Sequence, residues 1–92
     1  MIKIVLENQT YELEKNNKDC FDLEEVKSLV TDYFVNYDYI FGDYSYNKLR
    51  LKGFYDKTNK EVKEINNIKL LDEYIKNYCA YDCKYFLLKK MR

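Results

Sequence analysis

Apolar residues recur at two different spacings along this chain, and the switching between these spacings limits the fold more than any other feature. In residues 2–6 and 11–13 they fall on every second position, which is the period of a strand with one buried face. The polar residues Asn8 and Gln9 between them mark a turn. This pattern therefore predicts an N-terminal β-hairpin.

The best-marked helix start lies at Asp22. Its carboxylate can accept hydrogen bonds from the first helical turn, and Glu25 three residues later can complete a capping box. Phe21 and Val26 have the spacing of a hydrophobic staple. The apolar stripe that follows predicts one helix of about four turns. Its members are Leu23, Val26, Leu29, Val30, Tyr33, Phe34 and Tyr37.

The middle of the chain predicts a second hairpin. Residues 39–41 form its first strand, residues 42–47 are rich in turn formers, and residues 48–55 alternate again. Leu49 and Leu51 would then share one face of the last strand, and its basic side chains would lie on the other face.

The last third of the chain predicts a weak strand, a helix and a closing strand. Val62 and Ile65 could belong to the weak strand. Residues 70–78 carry apolar side chains at helical spacing with Asn67 as the N-cap, and residues 83–91 form the final strand. The order ββαββ(β)αβ predicts an α+β fold, with a mostly antiparallel sheet of about five strands and two helices.

The composition limits the chain to one small domain and argues against catalysis. With no linker rich in proline, glycine or serine, residues 1–92 are predicted to share one core. The apolar runs are too short for a membrane span or a signal peptide, so we expect a soluble cytoplasmic protein. Three cysteines are an odd number, which fits reduced thiols. Because the chain has no histidine, the commonest partner of a nucleophile, we predict neither catalysis nor a cofactor.

The cysteines could carry metal or redox chemistry. Cys79 and Cys83, with Cys20 nearby, offer three thiolates to zinc. Asp82 could complete a tetrahedral site, although the spacing is not that of a zinc knuckle or of a Cys-x-x-Cys redox pair. We therefore favour buried thiols and predict no metal.

Three aspartates, Asp38, Asp43 and Asp56, flank the second predicted hairpin. They could converge to bind a divalent cation or to act as acid and base. Aspartates in turns more commonly bond to neighbouring backbone groups, which is the interpretation we favour.

Several short stretches combine into one pattern that spans most of the chain. They are Tyr11-Glu12-Leu13, Tyr37-Asp38-Tyr39-Ile40 with Gly42-Asp43, the run from Leu49 through Asp56, Tyr78-Cys79, and Cys83 with Tyr85-Phe86. Together these stretches resemble the YutD-like family of small bacterial proteins. The resemblance implies a cytoplasmic α+β domain, and it brings no established activity, cofactor or catalytic residue.

The second strand of the middle hairpin is the best candidate for a binding function. Arg50 and Lys52 lie on the face away from the leucines, where they could contact phosphates. Phe54 or Tyr55 could supply a stacking ring beside them. We therefore predict a non-catalytic binding module that contacts RNA or a ribonucleoprotein through this basic and aromatic strand face. The C-terminal lysines that would add to it are Lys84, Lys89 and Lys90.

The distribution of charge permits such a surface. The first half of the chain has four Lys and Arg against ten Asp and Glu, and the second half has twelve against six. The chain as a whole is neutral. A basic patch within a neutral protein can still attract a polyanion.

Two alternatives compete with RNA binding. Exposed tyrosines, chiefly Tyr44 and Tyr46 in the turn, could serve a protein-protein interaction adaptor. Alternatively, the basic strand face is simply solvated, Gly53 marks a bulge, and Phe54 returns to the core.

Overall fold

The first hairpin lies where the sequence predicts it. The computed structural model describes residues 2–78 and 84–91, and its first two strands are β1 (Lys3–Leu6) and β2 (Gln9–Asn16). Glu7 and Asn8 form the turn between them, one residue earlier than predicted, with φ of 49° and 64°. Two left-handed residues in succession match the twist of the flanking strands.

The single long helix predicted after the first hairpin is wrong, because the structure contains two short helices. Helix α1 (Leu23–Leu29) is followed by an extended Val30 and then by α2 (Asp32–Val35). Val30 and Thr31 are consecutive β-branched residues, which weaken a helix. The predicted N-cap is confirmed, since the Asp22 carboxylate accepts the N–H of Glu24 and of Glu25.

The second hairpin has a tighter turn than the sequence predicts. Strands β3 (Tyr39–Ser45) and β4 (Lys48–Phe54) leave only Tyr46 and Asn47 between them. The prediction of a turn over residues 42–47 is therefore wrong. Local composition suggested a loop, but long-range pairing with two neighbouring strands keeps this segment extended.

The weak strand predicted between the second hairpin and the last helix is absent from residues 55–70. Ile65 lies in a 3₁₀ turn (Glu64–Asn66) and is 73% exposed, so the weak strand predicted at Val62 and Ile65 is wrong. Asn67 caps a second 3₁₀ turn (Ile68–Leu70) by accepting the N–H of Lys69 at 3.0 Å. That turn leads directly into helix α3 (Leu71–Tyr78).

The last strand completes the sheet from its middle. Strand β5 (Tyr85–Lys90) lies between β2 and β3, which gives the order β1-β2-β5-β3-β4 with every neighbouring pair antiparallel. The predicted α+β fold with a five-stranded antiparallel sheet is confirmed. Within residues 2–78 and 84–91, none of the helices has the length and apolar character that a membrane span requires.

Helices pack on both faces of the sheet. On the first face Val26 of α1 joins a core with residues from β1, β2, β3 and β5, and on the second face Leu71 of α3 packs on Phe41, Phe54 and Leu87. Three consecutive residues of β5 are therefore buried, because their side chains alternate between two covered faces. These residues are Phe86, Leu87 and Leu88.

Two glycines allow bulky rings to lie flat on the first face. A Cβ on Gly42 would lie 2.2 Å from the ring of Phe86, its cross-strand partner on β5. A Cβ on Gly53 would lie equally close to the ring of Tyr37. Gly53 pairs in register with Ile40, so it marks a ring contact and not the bulge considered above.

Candidate binding surface

The candidate binding residues, for RNA and for a protein partner, do not form one surface. Four of them lie on or just after β4, Tyr44, Tyr46 and Lys84 surround the tip of the second hairpin, and Lys89 and Lys90 lie at the opposite end of β5. The strand order also places the lysine-rich β5 between two strands from the acidic half of the chain. Lys89, for example, is the direct cross-strand partner of Glu12.

Arg50 forms a bidentate ion pair with Asp43. Its Nε lies 3.0 Å from Oδ1 of Asp43 and its Nη2 lies 2.6 Å from Oδ2, across the hydrogen-bonded β3–β4 ladder. The side chain of Asp43 is only 4% exposed, whereas that of Arg50 is 49% exposed. The carboxylate therefore offsets the positive charge that a phosphate contact would use.

Lys52 and Phe54 do not offer a cation beside an accessible ring. Phe54 is 1% exposed and packs edge-on against Phe41 and Tyr74, so its predicted role as a stacking ring is wrong. The ammonium of Lys52 lies 5.2 Å from the centroid of the Phe54 ring and 5.5 Å from that of Tyr74. Helix α3 covers this face, which the sequence pattern of the strand alone does not reveal.

Tyr55 belongs to a group of stacked tyrosines on the first face. Its ring lies 4.7 Å from that of Tyr37, and the Tyr37 hydroxyl is 2.8 Å from the hydroxyl of Tyr33. The hydrogen bond with Tyr33, followed by burial, raises the pKa of Tyr37 to about 12. Tyr55 is thus separated from Arg50 and Lys52 by the thickness of the sheet.

Tyr44 attaches the second hairpin to α1. It lies within β3 and not in the turn, and its hydroxyl donates to Oε1 of Glu25 at 2.7 Å, with the carbonyl of Cys20 at 3.3 Å. Burial and the hydrogen bond to Glu25 raise the pKa of Tyr44 well above its ordinary value. Glu25 therefore holds the hairpin and does not complete the predicted capping box.

Tyr46 is presented to solvent at the hairpin tip. Its side chain is 98% exposed, and its φ of 52° with 64° at Asn47 places both turn residues in the left-handed region. A shallow cavity of about 550 Å³ lies beside it. The cavity is lined by Cys20, Asp22, Glu25, Tyr44, Tyr46, Asn47 and Lys84.

The predicted lysines at the end of β5 take part in local structure. The ammonium of Lys90 donates to the carbonyl of Val35 at 2.6 Å, and Lys89 and Lys90 border a cavity of about 350 Å³ beside Asp38. Asp38 is buried and accepts the backbone N–H of Asp56 at 2.8 Å. This cavity therefore has mixed charge, which gives a polyanion no uniform field.

The three aspartates do not converge. Asp56 accepts the N–H of Thr58 two residues on, as the favoured interpretation predicts, whereas Asp38 accepts the N–H of the distant Asp56. Asp43 lies in β3 and binds Arg50 instead. Sequence reasoning missed this ion pair, although a two-residue turn at Tyr46 and Asn47 would have placed the two residues opposite each other.

The metal hypothesis falls largely on Cys79, Asp82 and Cys83, which lie outside the described residues. Cys20 is half-buried near the hairpin tip. Within residues 2–78 and 84–91, no group of three His, Cys, Asp or Glu side chains is placed to hold a metal ion.

Similarity to known proteins extends over almost the whole chain. Residues 5–89 match the family described as "Putative antitoxin YutD-like". Over 89 residues the chain is 45% identical to the Bacillus subtilis (strain 168) protein described as "Putative antitoxin YutD", covering 97% of this chain and 98% of that protein. The fold matches the solution NMR structure of protein yutD from B. subtilis with a TM-score of 0.83 at 44% identity, over 100% of this chain and 84% of the solved one.

The fold defines a small α+β protein built on one five-stranded antiparallel sheet with helices on both faces. Within that class the chain belongs to the YutD-like family, which confirms the resemblance seen in the sequence.

Proposed function

We propose that this protein is a non-catalytic, cytoplasmic protein-binding module that acts as an antitoxin, neutralising a second protein by direct contact at the tip of its second hairpin. The matching family and the B. subtilis relative are both described as putative antitoxins. The contact surface follows from the exposed residues of this chain.

Tyr46 is the observation that carries the proposal. A left-handed conformation costs a residue with a side chain roughly 1–2 kcal/mol, and a bulky residue adopts it only rarely. Full exposure of the ring also gives the fold no burial energy. Neither property helps the protein fold, and a rigid, exposed aromatic is the kind of residue that contributes most at protein interfaces.

The surroundings of Tyr46 fit an interface. The Tyr44 hydroxyl ties the hairpin to α1 through Glu25, so the tip is held in place before any partner arrives. Polar side chains, including Lys84 and Asp22, border the shallow cavity beside it. An aromatic centre with a polar rim is the usual layout of a protein interface.

RNA binding is the weaker alternative on this geometry. It needs Arg50, Lys52 and the C-terminal lysines on one surface beside an accessible ring. Asp43 pairs with Arg50, Phe54 is buried, and Lys84 lies at the opposite end of β5 from the other two lysines. The uneven number of cysteines remains the support for a reducing compartment.

The test is affinity capture from a cell extract treated with nuclease, using the wild-type chain, Tyr46→Asn and Glu7→Asn. Asparagine tolerates the left-handed conformation, so both variants keep the fold and only the first loses the aromatic. We expect one defined protein to bind the wild type and Glu7→Asn, and to bind Tyr46→Asn about tenfold more weakly.

The captured protein also provides the functional readout. Its production alone should arrest growth, and co-production of the wild-type chain should restore growth where Tyr46→Asn does not. Removal of all captured material by nuclease would favour RNA. Equal capture by Tyr46→Asn would refute the hairpin tip as the contact.

A further inference from the structure

The outer edge of β4 carries backbone groups that point away from the sheet. Tyr55 shows the direction, because its N–H donates to the carbonyl of Asn66 at 2.7 Å and its carbonyl accepts the N–H of Ile68 at 3.0 Å. Backbone direction alternates along an antiparallel strand, so every second residue before Tyr55 points the same way. These residues are Leu49, Leu51 and Gly53.

No described residue hydrogen-bonds to these outward groups. The segment at Asn67 pairs with Tyr55 as an isolated parallel bridge and extends no further along β4. Gly53 is buried, so the accessible part of the edge runs from Leu49 to Leu51, over about 7 Å. An open edge of this kind is a template for an added strand.

The side chains along the edge differ between the two faces. Lys48, Arg50 and Lys52 lie on the second face, and because Asp43 offsets Arg50 the two lysines supply most of the charge. On the first face Leu49 and Leu51 are only half-buried. An added strand with acidic side chains on one face and apolar side chains on the other would match both.

A second copy of this chain fits the edge poorly. Antiparallel self-pairing centred on Leu51 would place Arg50 opposite Lys52, and pairing centred on Leu49 would place Lys48 opposite Arg50. Like charges directly opposite each other destabilise a sheet. Registers displaced further toward Tyr55 collide with the segment that already pairs there.

We propose that the β4 edge binds an extended segment of the partner protein in which acidic and apolar residues alternate, and that this segment becomes a sixth strand of the sheet. The main-chain hydrogen bonds to Leu49 and Leu51 hold the segment. The lysines select its acidic face. The inference rests on the proposed function, since it takes the partner to be a protein.

The direct test needs no natural partner. A blocked peptide of about seven residues, the length of β4, alternates Glu and Val and is added to the wild-type chain while amide NMR signals are recorded. We expect the amides of Leu49 and Leu51 to shift and to exchange more slowly with solvent. A peptide alternating Lys and Val should produce neither effect.

N-methylation provides a matched control within the peptide. Methyl groups on the alternate amides that face β4 should abolish binding, and methyl groups on the other set should leave it intact. Equal effects of the two methylation patterns, or equal binding of the Lys peptide, would overturn the proposal. Shifts at these amides with an oligouridylate and none with the Glu peptide would assign the edge to RNA instead.

Two variants extend the test to the protein. Lys48→Glu should lower the affinity for the Glu peptide about fivefold. Lys60 is an exposed lysine in the turn after β4, and Lys60→Glu should leave the affinity unchanged. Leu51→Pro removes one outward N–H and should abolish binding if its NMR spectrum remains that of a folded protein. If Leu51→Pro does not fold, the loss of peptide affinity in Lys48→Glu remains the test.

The same variants separate this inference from the proposed function. Loss of the captured partner with Tyr46→Asn but not with Lys48→Glu or folded Leu51→Pro would leave the antitoxin function standing and overturn strand addition. Binding of the Glu peptide without any captured protein partner would support strand addition at the β4 edge and overturn the antitoxin function.

Discussion

The turns of the two hairpins have the same backbone conformation but carry different side chains. Glu7 and Asn8 in the first turn have φ of 49° and 64°, and Tyr46 and Asn47 in the second have 52° and 64°. Each second position is the Asn that such a turn favours. The first positions differ, with an acid in one turn and a fully exposed aromatic in the other. The comparison shows that the turn requires a left-handed residue but not an aromatic, so Tyr46 calls for an explanation outside folding.

The hairpins also differ in how the rest of the chain covers them. The second face of the first hairpin stays open, with Val5 59% exposed, whereas α3 covers Phe41 and Phe54 on the same face of the second. The edge strand β1 has four residues and β4 has seven. Short edge strands are one way in which proteins avoid unwanted pairing. The second hairpin therefore has buried faces, and its tip and its edge are what remain for contact.

The largest expected effect concerns the glycines, which occur only in the second hairpin. Gly42→Ala should lower the free energy of unfolding by about 3 kcal/mol, because the Phe86 ring that blocks its Cβ is fully buried. Gly53→Ala should cost about 1–2 kcal/mol, since the half-buried Tyr37 can move. Urea denaturation of both variants measures the difference, and equal losses would contradict this account.

Next in size is a pair of Tyr→Phe substitutions with opposite signs. The buried Tyr11 hydroxyl in the first hairpin has no hydrogen-bond partner among the described residues, so Tyr11→Phe should raise the free energy of unfolding by about 1 kcal/mol. Tyr44→Phe in the second should lower it by about 1 kcal/mol, because the Glu25 carboxylate loses its donor. Thermal unfolding checks both, and a destabilised Tyr11→Phe would show that the hydroxyl is satisfied.

The two turns themselves should respond alike in stability and differently in binding. Glu7→Asn and Tyr46→Asn should each raise the free energy of unfolding by about 0.5 kcal/mol, because Asn adopts the left-handed region at lower cost. Only Tyr46→Asn should lose the captured partner. A clear loss of stability in Tyr46→Asn alone would mean that the ring supports the fold, which would remove the argument for its function.

The smallest effect is a change in titration. Tyr37 has its pKa raised to about 12 mainly by its hydrogen bond with Tyr33, whereas burial alone raises the pKa of Tyr11. Tyr33→Phe should therefore lower the pKa of Tyr37 toward its ordinary value of 10.0 and leave Tyr11 unchanged, as followed by tyrosinate absorbance. An unchanged Tyr37 titration would assign its shift to burial.

The raised pKa of Tyr37 also makes the free energy of unfolding depend on pH. The unfolded chain loses the Tyr37 proton near pH 10 and the folded chain near pH 12, so the contribution is complete below pH 10 and is lost as the pH rises through 12. Tyr33→Phe should reduce this alkaline loss of stability.

Element type was predictable where a local signal was strong. The Asp22 cap, the Asn67 cap and the strand alternation at the N-terminus all lie where the sequence places them. Prediction failed where distant partners decide. Gly42 and Asp43 resemble turn residues, but Phe86 and Arg50 keep them in a strand. The prediction of the binding surface was the least accurate, because the charge pattern of a strand does not reveal which helix covers that face or which carboxylate pairs with its basic residues.

By itself the sequence determined the α+β class, the order of the five strands along the chain and the caps at Asp22 and Asn67, because capping and apolar periodicity act over a few residues and leave a readable pattern. Only the tertiary structure decided that β5 enters the middle of the sheet, that α3 covers the aromatic and basic face of β4, and that Asp43 offsets Arg50. Those outcomes depend on contacts between residues far apart in the chain, whose energies no local spacing records.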